Sequence, residues 1–438
     1  MQSAKDQVQA HQFTERRLAA ALVLGDASGA VAPARRATVG LVSGLVVAVL
    51  AAGVFFVLGL LSPGSSTAWR QQGAIVVEKE TGTRYVLVKD VLRPVRNLSS
   101  AALVTGGMKI VTVSRKSLAG VPHGAPVGLP DAPDVVPEAS ALHSGPVALC
   151  TPTRAGQDVA TTLVLDPAVS VSALPAGVVA TVTAPDGARH LVVDGKRHEV
   201  TDRVASAAFG LDALPAVAVT KAWLDTVPKG EPIAPYAPEN AGSQGRRVAG
   251  ATGQVGALFR VGEQHYVMLT DGLAALSTTD FTLASARGAA VKEVSAADVA
   301  GTDRSATSLV GRLPDLVRAT HLRSDGSGLC VSSATDGSAA APVIGLVDAG
   351  ALRPGKPGTF AVNVPPGGGV VAVSGAVPVK DRDKWRVLVT ETGVRHLMPT
   401  ERDVSSLGYR SVVPMVVPDA VMNTMPPGAV LTAASVSI

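Results

Sequence analysis

Gly195-Lys196 and Gly355-Lys356 are the nearest approaches in this sequence to a phosphate-binding loop, and neither completes one. Arginine follows the first pair and proline the second, where a serine or threonine would have to hold Mg2+. The glycine run at 367–369 leads into VVAV, a strand-like run, so no helix N-terminus follows to receive a phosphate. There is no G-x-S-x-G elbow to expose a nucleophilic serine. The eight histidines are scattered, with no H-E-x-x-H and no Cys/His spacing suited to zinc. The residues therefore predict no catalytic, cofactor-binding or metal-binding set.

Some of the histidines do recur within one phrase. Residues 187–200 (GARHLVVDGKRHEV), 262–276 (GEQHYVMLTDGLAAL) and 393–400 (GVRHLMPT) each place an imidazole three residues after a glycine, and residues 82–85 place Tyr85 there. Tyr85, His190, His265 and His396 thus read as equivalent scaffold positions, and Arg84, Arg189 and Arg395 as a solvated strand edge. A second phrase follows the first, and its three instances align without a gap: residues 113–127, 219–233 and 417–431. It shares Val113, Val219 and Val417, an apolar residue at Leu118, Leu224 and Met422, and a Pro-x-Gly turn at Pro122/Gly124, Pro228/Gly230 and Pro426/Gly428. The phrase reads as a short helix stopped by the turn, which then feeds a strand.

The elements around these phrases follow from composition. The chain of 438 residues is 47% hydrophobic but only 3% aromatic, with 45 Gly and 30 Pro, a balance suited to many short strands and turns. Of the net charge of +4, the first 39 residues carry +2, from Lys5, Arg16, Arg17, Arg35 and Arg36 against Asp6, Glu15 and Asp26. The rest is close to neutral, which argues against nucleic acid as a partner.

Gly40 to Leu61 is a run of 22 residues without a charge. At 1.5 Å per residue it covers roughly 33 Å, enough to cross a hydrocarbon core of about 30 Å. Arg35 and Arg36 precede it and Pro63, Gly64, Ser65 and Ser66 follow, so the positive-inside rule places the N-terminus in the cytoplasm. The run is too long and too far from the N-terminus for the apolar core of a cleaved signal peptide. Gly40, Gly44, Ala48 and Ala52 line one face with small side chains, a surface on which another membrane helix can pack closely. Residues 5–24 before it predict a short cytoplasmic helix.

Residues 74–95 are two β-rich runs around a Thr-Gly turn, and a unit of about 50 residues with so few aromatics must pack on something else to bury a core. The predicted fold class is α+β and β-rich: one transmembrane helix, then about four small α/β repeats around a central, mainly-β domain. The expected division is a cytoplasmic segment 1–39, the membrane helix 40–61, a linker 62–74, repeat 1 at 75–130, a central part at 131–180 and repeat 2 at 181–235. A linker with a degenerate repeat 3, keeping only the first phrase, follows at 236–310, then a second central part at 311–380 and repeat 4 at 381–438. Each central part carries one of the two cysteines, Cys150 and Cys330. Outside a membrane thiols oxidise, and a lone pair 180 residues apart, far from C-x-x-C spacing, reads as one structural disulfide that joins the two parts.

These features resemble the EccB family, core components of the ESX (type VII) secretion machinery. The resemblance rests on VQAHQFTERRLAAALVLGD before the span, the single span, IVVEKETGTRYVLVKDVLRPVRNLSSAALV after it, the repeats and the two distant cysteines. It implies a subunit of the cytoplasmic (inner) membrane with an elongated extracytoplasmic region of four repeats and one disulfide. It also implies self-association and assembly with EccC, EccD and EccE, the motor being the EccC ATPase. Family members are described as ATPases, but no residue here carries that activity over. The repeats are similar to cell-wall-binding modules of phage lysins, so a membrane-anchored cell-wall-binding protein stands as the alternative, and a nucleotide hydrolase as a third reading.

Overall fold

A computed structural model describes residues 4–25, 33–61, 67–153, 161–323, 326–338, 340–352 and 360–436. Two compact units emerge, residues 1–68 with 113–120, and residues 69–112 with 121–438. The first holds helix α1 (Ala4–Leu24) and helix α2 (Pro33–Leu61). Arg35 and Arg36 fall where no side chain is described, and the polar break at 63–66 lies outside the described residues.

From residue 69 on, the chain runs through one motif used four times, residues 113–120 of the first copy being counted with the first unit. Copy 1 runs β1 (Ala74–Glu78), β2 (Arg84–Val88), β3 (Val91–Pro94), α3 (Leu98–Thr105), β4 (Lys109–Val113) and the one-turn α4 (Arg115–Leu118). After β5 (Val147–Pro152), β6 (Thr161–Val164) and β7 (Ser172–Ala173), copy 2 runs β8 (Val178–Thr183), β9 (Arg189–Val193), β10 (Lys196–Glu199), α5 (Arg203–Ala208), β11 (Val217–Ala218) and α6 (Lys221–Thr226). A hairpin of β12 (Gln244–Val248) and β13 (Ala251–Gln254) leads to copy 3: β14 (Leu258–Val261), β15 (Gln264–Met268), β16 (Leu273–Leu276), α7 (Thr278–Ala286), β17 (Val291–Glu293) and α8 (Ala296–Ala300). Then come β18 (Thr320–His321), β19 (Gly328–Ser333), β20 (Val343–Val347) and β21 (Phe360–Asn363). Copy 4 closes the chain with β22 (Gly369–Ser374), β23 (Arg386–Thr390), β24 (Arg395–Met398), α9 (Glu401–Ser406), β25 (Met415–Val417) and α10 (Asp419–Met422).

Every copy has the same four-strand order: third strand, second, first, then the strand that follows the first helix, with β18 added against β8 in copy 2. That last strand lies parallel to the first in copies 2, 3 and 4. Local chemistry sets these elements. In copy 1 the second hairpin turns at Lys89-Asp90, both with positive φ (50° and 63°), the backbone a two-residue type I′ turn requires. This hairpin makes three strands of residues 74–95 where two were expected. The first helices are capped at their N-termini by Asn97, Asp202, Ser277 and Thr400, whose side chains take up otherwise orphan amides.

The central sheet has the order β21-β6-β5-β19-β20-β7, so strands from the two cysteine-bearing stretches are interleaved within one sheet. Copies pack in pairs around it. The first helices of copies 1 and 4 (α3 and α9) meet, as do those of copies 2 and 3 (α5 and α7), while the second helices of copies 2 and 4 (α6 and α10) meet each other. Leu103 of copy 1 and Val404 of copy 4 accordingly share one core, Leu191 of copy 2 and Leu283 of copy 3 a second. Trp223 and Met422 join Leu149, Leu163 and Leu329 of the central sheet in a third. A small repeat thus buries both sheet faces by borrowing a neighbour.

Three expectations need correction. Copy 3 is not degenerate, because it carries all six elements. The start of copy 4 is β22 at Gly369, inside the stretch assigned to the central part, since the PPGGG turn separates the two. Residues 311–321 are not central either: Leu313 and Leu316 fill the core between copies 2 and 3, and β18 pairs in parallel with β8 of copy 2.

Candidate functional site

α2 contains the one candidate span among the described residues, Ala37–Val57, with none of it buried. Its large apolar side chains, from Val39 to Val57, are all exposed. Nothing lies within 4 Å of a Cβ built on Gly40 or Gly44, and the four-residue spacing keeps them on one face with Ala48 and Ala52. An uncovered apolar face of this length has no stable place in water. On α1, Val8, Phe13, Leu18 and Leu22 are likewise exposed.

The Pro-x-Gly turns have a definite task. Leu92 N donates to Pro122 O (2.8 Å) and Gly124 N donates to Leu92 O (2.9 Å), so the turn clasps one residue of the third strand between its two ends. The same pair recurs at Arg197 with Pro228 and Gly230, and at Arg395 with Pro426 and Gly428. In copy 3 Leu273 is clasped by Asp303 O (2.8 Å) and Ser305 N (3.0 Å). The clasp is made by backbone alone, so Asp and Ser can replace Pro and Gly. The turn feeds an extended segment that bridges the third strand in parallel at single residues, and not a further strand of the sheet.

In copies 2 and 4 the clasp needs glycine for room. A Cβ on Gly230 would sit 2.2 Å from His198 Cε1, and one on Gly428 would sit 2.4 Å from His396 Cε1 and 2.6 Å from Val394 Cγ1. These two imidazoles are the equivalent pair: His198 Nδ1 bonds Glu231 O (2.7 Å) and His396 Nδ1 bonds Ala429 O (3.1 Å). Burial holds both below the usual imidazole pKa. Gly428→Ala is expected to destabilise the protein by about 1–3 kcal/mol through overpacking. His396→Ala in the same chain should restore part of that loss, which a double-mutant cycle in thermal unfolding measures.

The aligned rings are not equivalent as the repeated glycine suggested. Register places Tyr85, His190, Tyr266 and Val387 at one position, each opposite the third-strand residue two beyond the clasped one. His265 is one residue earlier, on the other sheet face, where it stacks on Phe281 at 4.0 Å between centroids. His396 lies on the third strand, because its Thr-Gly turn closes the second hairpin of copy 4 and not the first. Arg395 is therefore the counterpart of Arg197, and both send Nε to a backbone carbonyl, of Met425 and Val227.

The phosphate candidates stay unassembled. Gly195 is in the tight turn between β9 and β10, and Lys196 begins a strand. Gly355-Lys356 lies outside the described residues. At the glycine run, Gly367 N donates to the Glu391 carboxylate (2.6 Å), which puts negative charge where a phosphate would have to sit. No group of three or more metal-ligating side chains gathers among the described residues.

Cys150 and Cys330 face each other on neighbouring strands β5 and β19 and are disulfide-bonded, both fully buried with Ala148, Val164, Val347 and Leu352.

Comparison with known proteins places this architecture. The family described as "Type VII secretion system ESX-1, transport TM domain B" matches residues 2–438. The ESX-2 secretion system ATPase EccB2 of Mycobacterium tuberculosis is 30% identical over 331 residues, covering 70% of this chain and 64% of that protein, so the match spans less than two thirds of its length. The ESX-3 secretion system ATPase EccB3 of Mycolicibacterium smegmatis is 26% identical over 98% of this chain and 89% of its own. Among solved structures, a chain of the intact ESX-5 inner membrane complex shares the fold with a TM-score of 0.67 at 21% identity, covering 100% of this chain and 95% of that one. The EccB3 dimer from the ESX-3 core complex gives 0.65 at 23% identity, over 82% and 98%.

Proposed function

Because the chain belongs to the type VII secretion family of ESX-1 transport TM domain B, we propose that it is a structural subunit of a type VII secretion complex in the inner membrane. α2 anchors it, α1 lies on the cytoplasmic side, and the four copies with the central sheet form an extracytoplasmic scaffold. Its partners are the other membrane subunits of such a system, EccC, EccD and EccE, and a second copy of itself. The observation that carries this reading is the uncovered apolar helix Ala37–Val57 followed by four copies of one fold that bury their surfaces on each other. The stripe of Gly40, Gly44, Ala48 and Ala52 is the proposed contact for a neighbouring membrane helix, where small side chains allow backbones to approach.

The relatives are named ATPases, but we propose that energy for transport comes from another subunit. Gly195-Lys196 leads into a strand, and Glu391 occupies the amide of Gly367. A chain beginning at residue 67 is expected to stay in the supernatant where the full chain sediments with membranes, to fail to support secretion, and to show no Mg2+-dependent ATP turnover. Secretion restored by the shortened chain would remove the anchor from this reading. Turnover lost on Lys196→Ala would make the chain an enzyme.

A further inference from the structure

The position shared by Tyr85, His190, Tyr266 and Val387 faces the clasped turn of its own copy, and the four copies treat the space between them differently. In copy 1 the Tyr85 ring meets His123, the middle residue of the Pro-x-Gly turn, edge-on at 5.5 Å. In copy 3 Tyr266 meets Arg304 at the same turn position, with the guanidinium 4.8 Å above the ring. Those two copies fill the space with their own side chains. Copies 2 and 4, with a smaller residue there, leave it open.

The two open grooves have opposite chemistry. In copy 4 the cavity, about 250 Å3, is lined by Val387, Leu397, Met422 and Pro427, with Trp385 beside them. In copy 2 it is about 560 Å3, and the counterparts of the first, second and fourth of those residues are His190, Glu199 and Lys229. Asp186, Arg197, Lys221 and Asp225 add further charge. Asp225 is engaged, pairing with Arg197 (3.3 Å) and with Lys221. Asp186, Glu199 and Lys229 form no ion pair among the described residues. His190 is 6% exposed, and its Nδ1 is buried without a hydrogen-bond partner. A buried polar atom that the chain itself does not satisfy, set in an open groove among unpaired charges, marks a site completed from outside. No Phe, Tyr or Trp ring lines the groove of copy 2, so it lacks the broad platform on which a nucleobase would stack.

We propose that the groove of copy 2 binds a small zwitterion, an amino acid or a dipeptide with both ends free. Its ammonium group sits with Asp186 and Glu199, and its carboxylate with Lys229 and the His190 imidazole. The two carboxylates and one ammonium without an ion-pair partner among the described residues match that charge pattern, one Asp186 oxygen being held by Ala188 N (2.9 Å), and both contacts are charge-assisted hydrogen bonds, the stronger class. Copy 4 is the internal control, the same groove with the charges removed.

The test uses full-length protein in detergent, with alanyl-alanine as probe and ligand-observed NMR as readout. Saturable binding in the millimolar range, the scale for so small a ligand, is expected. N-acetyl-alanyl-alanine should bind at least about tenfold more weakly, since it lacks the ammonium. His190→Tyr, which installs the residue copies 1 and 3 carry, should abolish binding. Lys229→Ala, at an exposed position, should weaken it by a similar factor to acetylation. Val387→Ala should leave it unchanged. No saturable binding of alanyl-alanine, equal binding of the acetylated peptide, or undiminished binding by both variants would each overturn the proposal.

Discussion

Cys150→Ser and Cys330→Ser are each expected to lower the melting temperature strongly and by the same amount, with the double variant no worse than either. The bond closes a loop across a sequence separation of 180. In the chain-entropy description such a closure is worth roughly 5 kcal/mol, by restricting the unfolded chain. Total stabilities run at about 5–15 kcal/mol, so this one bond outweighs any single surface contact. Its position adds to the effect. β5 and β19 are the middle strands of the central sheet, contributed by halves of the chain between which two whole copies fold. Thiol labelling under denaturing, non-reducing conditions should mark neither cysteine of the native protein. Two labelled thiols, or unequal single-variant losses, would contradict the clamp.

Arg312→Met is expected to cost about 3–5 kcal/mol, the scale for leaving one partner of a buried pair uncompensated. Asp280 is completely buried at the start of α7, and Arg312 reaches it from the segment after copy 3 with Nε at 2.9 Å and with Nη2. The guanidinium also donates to Ala234 O (2.8 Å), ahead of copy 3, so one side chain ties together the entry, first helix and exit of that copy. The other carboxylate oxygen accepts from Ser277 Oγ at 2.8 Å. Removing the cation strands a charge that cannot reach water. Asp280→Leu in the same chain should recover most of the loss, because an apolar replacement of the whole pair is often neutral. Unfolding of the single and double variants checks this, and equal loss in both would show that packing by Arg312, and not charge, is what matters.

Much of this architecture was legible because it repeats. The apolar run needed no tertiary knowledge, and two recurring phrases, the second aligned without a gap, exposed three copies. Copy 3 was hidden by Asp303 and Ser305 standing where the other turns have Pro and Gly; the clasp is made of backbone groups, which side-chain identity does not report. The histidine alignment failed for a related reason. A strand alternates faces at every residue, so the one-residue difference in the copy 3 hairpin moved His265 to the opposite face, and counting from a glycine cannot detect the slip. That two distant stretches meet was readable from Cys150 and Cys330, whereas the limit of the central sheet at Gly369 was not, since a Pro-Gly turn looks the same inside a domain and between domains. The groove beside His190 lies wholly beyond the sequence, because it depends on which of four equivalent positions is filled.

The claim that this chain is an anchored scaffold of a secretion complex is tested most directly by purifying the tagged full chain from its own membranes in mild detergent, and identifying what accompanies it. The expected result is one large assembly containing more than one copy of the chain together with the other type VII membrane subunits, absent when residues 1–61 are removed. A full chain that emerges alone as a monomer, with those subunits assembled normally without it, would contradict the account.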